Sequence, residues 1–168
     1  MAIIDTGFFS SLYKIGRVKL LYDNIPNKII APSTVYDEIS QSHFYSEALK
    51  HFTFGDKTDK RRIIVRDVDI SESKEYFQND AILKFGRGEV GCFMLAKQTN
   101  EIILTDDAQA RRFAAENNIK AMSLPSFLVS CKSRKTLSVD EIKKIISDLK
   151  IKDYYGIKKE ILDELLRK

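Results

Sequence analysis

Short apolar runs alternate with longer amphipathic stretches along most of the chain. The apolar runs are rich in Ile and Val, and several are continuous, which is typical of parallel strands covered on both faces. The stretches between them repeat their apolar residues at helical spacing. This alternation predicts βα units and an α/β fold. Strands are predicted at residues 2–5, 28–31, 62–68, 101–105 and 119–122.

The intervening stretches predict a series of helices, at residues 7–14, 18–23, 32–41, 45–52, 72–85, 89–99 and 108–117. Residues 126–132 predict one more helix on the sheet. From Ser138 onward the apolar residues recur at helical spacing and no strand follows. Ser138 and Glu141 have the spacing of a capping box. We therefore expect a βα core over residues 1–137 and a C-terminal helical hairpin over residues 138–168.

Composition narrows the class of protein. The chain has 168 residues, of which 43% are hydrophobic and 31% charged, as in a soluble single domain. No apolar run approaches the ~20 residues that span a bilayer, and Asp5 interrupts the apolar N-terminus, so we expect a cytoplasmic protein without membrane segments. The two histidines and the isolated Cys92 and Cys131 argue against histidine catalysis, a zinc site or disulfides. A net charge of +4 permits a polyanionic partner without requiring one.

Acidic residues follow two predicted strands at their carboxyl ends. Asp5 and then Thr6 follow the first strand, and the fourth runs into Thr105, Asp106 and Asp107. Ligands of open parallel sheets bind outside the carboxyl ends of the strands, so these residues are candidates for a site. An aspartate after a strand is also commonly the N-cap of the next helix, and for either position alone that is the simpler interpretation.

Two glutamates extend this acidic set. Glu38 is the i+3 member of the apolar stripe formed by Val35 and Ile39, so we expect it to point towards the interior. Glu89 stands in the first turn of a helix that is apolar on nearly all sides, where it also suits the helix dipole. Four acids at one sheet edge would repel each other strongly without a cation. Because only carboxylate oxygens are available, Mg²⁺ or Mn²⁺ is expected, with a metal-bound water as nucleophile for phosphodiester hydrolysis.

Four segments carry a family resemblance: IIDTGFF, IIAPSTVYDEI, GRGEVGCFMLA and IILTDDAQARRFA. In order and spacing they resemble the successive motifs of the PIN domain. Similar motifs occur in the toxins of Vap-type toxin–antitoxin pairs and in related uncharacterised prokaryotic PIN proteins, whose helical tail the end of this chain also resembles. The likeness covers about residues 1–135, and nearly the whole chain with the tail.

The resemblance implies a three-layer α/β/α sandwich with a parallel five-stranded sheet, and a Mg²⁺- or Mn²⁺-dependent ribonuclease. It allows a role as the toxin of a pair with an antitoxin protein as partner. By position, the family's catalytic and metal-binding acids fall on Asp5, Glu38, Glu89 and Asp107. Asp106 is a further candidate ligand, either direct or through a neighbour, and Thr6 and Thr105 are the hydroxyls beside the acids. Many members of the family have aspartate where this chain has Glu89, but the glutamate form is also familiar.

Basic residues flank the acids, namely Lys84, Arg87, Arg111 and Arg112. They could hold RNA phosphates and so position the substrate without reading its sequence. Solvated helix faces or surface ion pairs explain each of them equally well.

Two other interpretations compete with a nuclease. Residues 86–91 match the nucleotide-binding pattern GxGxxG, but that fingerprint must follow a strand, and residues 75–85 have a helical pattern. The second alternative is a PIN-like module that binds RNA or a protein without cutting. Absence of metal-dependent cleavage on any RNA would favour it.

The C-terminal helices also bear on assembly. The Ile and Leu stripes of residues 138–168 exceed what a sheet covered on both faces can obviously bury, and exposed apolar stripes usually find a partner. PIN proteins of this size commonly form dimers. Both points predict a symmetric homodimer to which the tail or residues 12–21 contribute. The alternative is that the tail folds back over the core of its own subunit.

Overall fold

A computed structural model of the chain describes residues 1–41, 43–55 and 62–167. Its centre is a parallel sheet in the order β3-β4-β2-β1-β5-β6. The register places Ile3 of β1 beside Ile30 of β2 on one side and Ile103 of β5 on the other. The strands are β1 (Ala2–Ile4), β2 (Ile29–Pro32), β3 (Phe52–Phe54), β4 (Ile63–Arg66), β5 (Ile102–Leu104) and β6 (Ala121–Met122).

Helices flank the sheet, and the predicted α/β sandwich with a parallel sheet and C-terminal helices is confirmed. The described residues also form 3-10 helices at His43–His51 and Asp80–Lys84. The α-helices are α1 (Thr6–Lys14), α2 (Lys19–Asn24), α3 (Ser33–Ser40), α4 (Ser73–Phe77), α5 (Arg87–Thr99), α6 (Ala108–Glu116), α7 (Leu124–Ser133), α8 (Val139–Lys152) and α9 (Lys159–Leu166).

The described residues form a sheet of six strands, so the prediction of five is wrong. The additional strand, β3, lies at one edge and pairs only with β4 among the described strands. It begins at Phe52, which the sequence pattern assigned to a helix over residues 45–52; the structure has the 3-10 helix His43–His51 there. A strand of three residues is too short to show period-two alternation, so its pattern could not be distinguished from the helical one before it.

The helix predicted over residues 72–85 is interrupted. Helix α4 ends at Phe77, because the following residue, Gln78, has a left-handed φ of 50° that stops the helix. The Asn79 side chain then accepts a hydrogen bond from the Ala81 backbone N–H at 2.9 Å and starts the 3-10 helix Asp80–Lys84. The helical spacing of apolar residues continues across this break. For that reason, periodicity alone predicted one continuous helix.

One apolar cluster joins the sheet to the C-terminal helices. Ile142, Ile145 and Leu149 of α8 and Leu165 of α9 are buried in the same cluster as the strands. The apolar residues of 12–21 are buried there too. Much of the apolar surface that prompted the prediction of a homodimer is therefore covered within the chain itself, while Ile146, Ile157 and Ile161 are partly buried. None of the helices formed by the described residues is both long and apolar enough to cross a membrane.

Candidate active site

Two acidic residues lie at one edge of the sheet because their strands are neighbours. Strands β1 and β5 pair with Ile4 aligned to Leu104, so Asp5 and Asp107 both emerge at the carboxyl edge of the sheet. Asp5 Oδ1 accepts a hydrogen bond from the Phe8 backbone N–H at 2.6 Å and caps α1. Asp107 Oδ1 accepts one from the Ala110 backbone N–H at 2.6 Å and caps α6. Each aspartate is thus both a helix cap and part of an acidic edge.

Both glutamates are held at the N-terminus of α5. Glu38 Oε1 accepts a hydrogen bond from the Gly88 backbone N–H at 2.8 Å, and its Oε2 accepts one from the Thr6 hydroxyl at 2.5 Å. Glu89 Oε2 accepts one from the Gly86 backbone N–H at 3.0 Å. The first N–H groups of a helix have no intrahelical acceptor, so they bind these carboxylates well. Glu38 is exposed at the opening of the site, so the prediction that it points into the interior is wrong.

The glycines of the GxGxxG match have a packing role. A Cβ on Gly88 would lie 2.5 Å from Glu38 Oε2, and one on Gly91 would lie 2.2 Å from Thr34 Oγ1. These glycines therefore let Glu38 and helix α3 approach the backbone of α5. The 3-10 helix Asp80–Lys84, not a strand, precedes them, so the requirement of the nucleotide-binding fingerprint is not met.

All five predicted acids line one cleft of about 250 Å³. The cleft is lined by Asp5, Thr6, Gly7, Glu38, Gly86, Glu89, Asp106 and Asp107. No basic residue lines it in the part of the chain that the structure describes. Lys84, Arg87 and Arg112 are exposed outside the lining. Arg111 Nη1 instead donates a hydrogen bond to the Thr105 carbonyl oxygen at 3.1 Å and so stabilises the segment that follows β5.

Burial makes ionisation of the central acids unfavourable. Asp5 is only 5% exposed, and burial raises its pKa from 3.8 to about 7, with Asp106 and Glu89 adding to the rise. Hydrogen bonds from the Thr105 hydroxyl and the Phe8 backbone N–H partly offset it. Burial also raises the pKa of Glu89, again with contributions from nearby acids. Burial is thus the main cause of both shifts, and repulsion among the acids adds to it.

Asp106 connects the cleft to the C-terminal part of the chain. Its Oδ1 accepts a hydrogen bond from the Leu124 backbone N–H at 2.7 Å, at the start of α7. Its Oδ2 is buried without a hydrogen-bond partner in the described part of the chain. Burial is the main cause of the raised pKa of Asp106, and the Arg111 charge acts against the rise. Tyr155, which the sequence analysis did not single out, lies beside this carboxylate and interacts with it.

The two thiols are not candidates for nucleophiles. Cys92 and Cys131 are free and buried, as predicted. Cys92 lies behind the cleft, where its Sγ is 3.7 Å from the Ile4 carbonyl oxygen. Burial and the neighbouring acids raise the pKa of Cys92 well above its ordinary value, so it stays protonated at neutral pH.

The donor chemistry of the cleft fits a hard divalent cation. The five carboxylates and the Thr6 hydroxyl of the lining offer only oxygen, and the buried Oδ2 of Asp106 has no hydrogen-bond partner among the described residues. Within residues 1–41, 43–55 and 62–167, however, no three His, Cys, Asp or Glu side chains are arranged to hold one metal ion as they stand. Backbone N–H groups hold one oxygen of each of Asp5, Glu38, Glu89 and Asp107. The donors are therefore present in one cleft, and carboxylate oxygens from at least three of them would have to move closer together to bind one ion.

Comparisons with known proteins agree with this architecture. No curated protein sequence matches the chain. A solved structure, a PilT N-terminus domain protein from the hyperthermophilic archaeon Sulfolobus solfataricus P2, is similar with a TM-score of 0.55 and 18% identity, covering 77% of this chain and 91% of that chain. At that identity the likeness shows the fold. The model of the DUF3368 family, described as a PIN domain, matches residues 1–168. The chain therefore belongs to the DUF3368 family of PIN domains.

Proposed function

We propose that this chain is an endoribonuclease that hydrolyses RNA phosphodiester bonds at the acidic cleft and requires Mg²⁺ or Mn²⁺. The observation that carries the proposal is the convergence of five acidic side chains on one cleft with no basic residue in its described lining. Family membership supports it, because PIN domains are generally nucleases and generally use divalent metals.

In this proposal the metal ligands come from Asp5, Glu38, Glu89 and Asp107, with the free oxygen of Asp106 beside them. A bound divalent cation would lower the pKa of its water and offset the charge of the scissile phosphate. The chain's own residues prepare the site. The Thr6 hydroxyl orients Glu38, the Thr105 hydroxyl donates to Asp5, and backbone N–H groups fix one oxygen of each capping aspartate.

The basic residues divide into two proposed roles. Lys84 and Arg87 are exposed near the N-terminus of α5, where they can contact RNA phosphates. Arg111 is partly buried and bonded to the Thr105 carbonyl oxygen, so we assign it to shaping the site and not to direct contact with RNA.

The test is cleavage of single-stranded RNA by the purified chain. We expect cleavage with Mg²⁺ or Mn²⁺, loss of cleavage in EDTA, and recovery when the metal is restored. Asp5→Asn and Asp107→Asn should abolish cleavage, whereas Asp163→Asn, an exposed aspartate on α9, should not change it. Undiminished cleavage in EDTA would contradict the mechanism.

A second candidate function is a module that binds RNA or a protein without cutting. One observation favours it: among the described residues, no three acidic side chains are close enough together to bind one metal ion. Binding of RNA without cleavage in Mg²⁺, Mn²⁺ or any other divalent cation would support this candidate over the nuclease.

We propose that the chain acts in the cytoplasm as the toxin of a toxin–antitoxin pair. The motif resemblance to Vap-type toxins supports it. A small protein encoded beside this chain should relieve growth inhibition caused by its expression, and Asp5→Asn should not inhibit growth. Growth unaffected by the intact protein would contradict the toxin role while leaving the nuclease activity to be judged by the RNA assay.

A further inference from the structure

Tyr154 is the most exposed large hydrophobic side chain in the described part of the chain. It lies in the α8–α9 loop, residues 153–158, and 92% of it is accessible to solvent. Its φ of 51° lies in the left-handed region, which non-glycine residues rarely adopt. An almost fully exposed aromatic ring adds little to the core, so Tyr154 is a candidate for contact with another molecule.

The residues on either side of Tyr154 are anchored. Asp153 accepts a hydrogen bond from the Ser11 hydroxyl at 2.6 Å and forms an ion pair with Lys14 at 2.6 Å. The Tyr155 backbone N–H donates to the Leu149 carbonyl oxygen at 3.1 Å, and its ring packs against the core. The loop is therefore held at both sides, and the Tyr154 ring is presented from a fixed support.

This loop lies at the acidic cleft. Tyr155 is half-buried beside Asp106, and burial together with the Asp106 charge raises the pKa of Tyr155. Asp153 also acts electrostatically on Asp106. Asp106 lines the cleft, whereas Asp153 and Tyr155 do not, so the loop is connected to the cleft through this one carboxylate.

Lysines are frequent in the sequence around Tyr154. Four exposed lysines lie in or beside the loop within ten residues of sequence, namely Lys150, Lys152, Lys158 and Lys159, and Asp153 is the one acid among these ten residues. Of these, Lys152 pairs with Asp148 at 3.3 Å. Lysines interleaved with an exposed aromatic ring are typical of surfaces that bind single-stranded nucleic acid, where bases stack on rings and phosphates meet the cations.

We propose that the α8–α9 loop binds the single-stranded RNA that enters or leaves the acidic cleft, with Tyr154 stacking on an unpaired base and the flanking lysines contacting phosphates. The inference rests on the proposed function, since the strand is the substrate of that cleft. Stacking on a ring tolerates any base, so the loop would position the strand without selecting a sequence. Double-stranded RNA keeps its bases stacked on each other and would not use the ring.

The first experiment measures binding of the full chain to fluorescein-labelled single-stranded RNA by anisotropy in EDTA, where the substrate stays intact. Tyr154→Ala should weaken binding by about fivefold or more, and Tyr154→Phe should retain it, because the ring and not the hydroxyl stacks. Ile151→Ala is the matched control: Ile151 is 69% exposed just before the loop but has no ring. Duplex RNA should bind the wild type and Tyr154→Ala alike. Circular dichroism confirms that each variant is folded.

A second experiment uses the absence of tryptophan from the sequence. Tyr154→Trp places the protein's single tryptophan in the loop. Single-stranded RNA should quench the tryptophan emission by stacking on its ring. Ile151→Trp is the control, whose emission should stay unchanged, and duplex RNA should quench neither.

The outcomes separate this inference from the proposed function. If the wild type cleaves RNA and Tyr154→Ala binds RNA as tightly as the wild type does, the inference is wrong and the proposed nuclease activity is unaffected. Loss of binding in Tyr154→Ala, without cleavage by the wild type in any divalent metal, supports the loop and overturns the nuclease. Equal losses in Tyr154→Ala and Ile151→Ala, with a concentration-dependent mass in light scattering, would show a protein-binding surface and overturn the inference.

Discussion

Asp5 is a buried carboxylate whose ionisation is opposed by its surroundings. Burial raises its pKa from 3.8 to about 7. Between these two values the folded chain binds more protons at this position than the unfolded chain, so the free energy of unfolding falls as the pH rises. The stabilisation is complete below the unfolded pKa and is lost as the pH passes through the folded pKa. Over that window the loss is on the order of a few kcal/mol.

Asp5→Asn isolates this effect. An asparagine keeps the side-chain oxygen that caps α1 but carries no charge at any pH. In metal-free buffer we expect the variant to gain stability relative to the wild type between about pH 5 and about pH 8, as measured by denaturant unfolding. Asp163→Asn, the exposed control, should follow the wild type throughout. A variant that is less stable than the wild type at about pH 8 would show that Asp5 is mainly a structural cap.

Gly88 offers a test of how Glu38 is positioned. A Cβ at this position would lie 2.5 to 2.8 Å from the Glu38 carboxylate atoms. Because that carboxylate is the exposed end of a flexible side chain, Gly88→Ala should displace it at little cost to the fold. We expect cleavage to fall on the order of 10- to 100-fold while the melting temperature changes little. A variant with wild-type cleavage would mean that the contact between Glu38 and Gly88 is not needed for activity.

At the scale of elements, helix α5 packs unusually close to its neighbours. Its Gly91 faces Thr34 of α3 and Pro32 of β2, and a Cβ there would lie 2.2 Å from Thr34 Oγ1 and 3.0 Å from Pro32 Cβ. Thr34 is buried, so it cannot simply move aside. The separation of α3 and α5 also sets the distance between Glu38 and Glu89, so this contact is important for both stability and the site.

Gly91→Ala should therefore destabilise the fold by about 1–3 kcal/mol through overpacking, as measured by urea unfolding. Gly156→Ala is the matched control, because a Cβ there would meet nothing within 4 Å. Combining Gly91→Ala with Thr34→Ala should recover part of the loss, since the nearest clashing atom is removed. If Gly91→Ala and Gly156→Ala are equally stable, the helices do not depend on this close approach.

For the whole molecule, the main question is self-association. We still predict a homodimer, although the stripes of α8 and of residues 12–21 are buried within the chain. The large apolar side chains that remain exposed include Phe54 and Leu83. Light scattering at micromolar concentration should give twice the chain mass of 19.3 kDa. Phe54→Glu and Leu83→Glu would identify the interface by shifting the mass to that of one chain, and a mass near 19.3 kDa for the wild type at all concentrations would refute the dimer.

The local signals in the sequence were sufficient for much of this architecture. The continuous apolar runs of β1 and β5 predicted buried parallel strands, and hence that Asp5 and Asp107 would lie at the same edge of the sheet. Only the structure shows that the two strands are neighbours. The Ser138 capping box is present as predicted, with the Glu141 backbone N–H donating to Ser138 Oγ at 3.2 Å. Such features depend on residues a few positions apart, so their periodicity and spacing can be recognised without knowing the fold.

Tertiary structure decided what each apolar face packs against. The sequence shows that α8 has an apolar stripe, but only the fold shows that Leu149 and its neighbours cover the chain's own core. The edge position of β3, the bond from Gly88 to Glu38 and the place of Tyr155 beside Asp106 depend in the same way on residues far apart in sequence. A hydrophobic pattern indicates that a surface must be buried. Which other part of the chain covers that surface depends on packing and on the geometry of the whole chain.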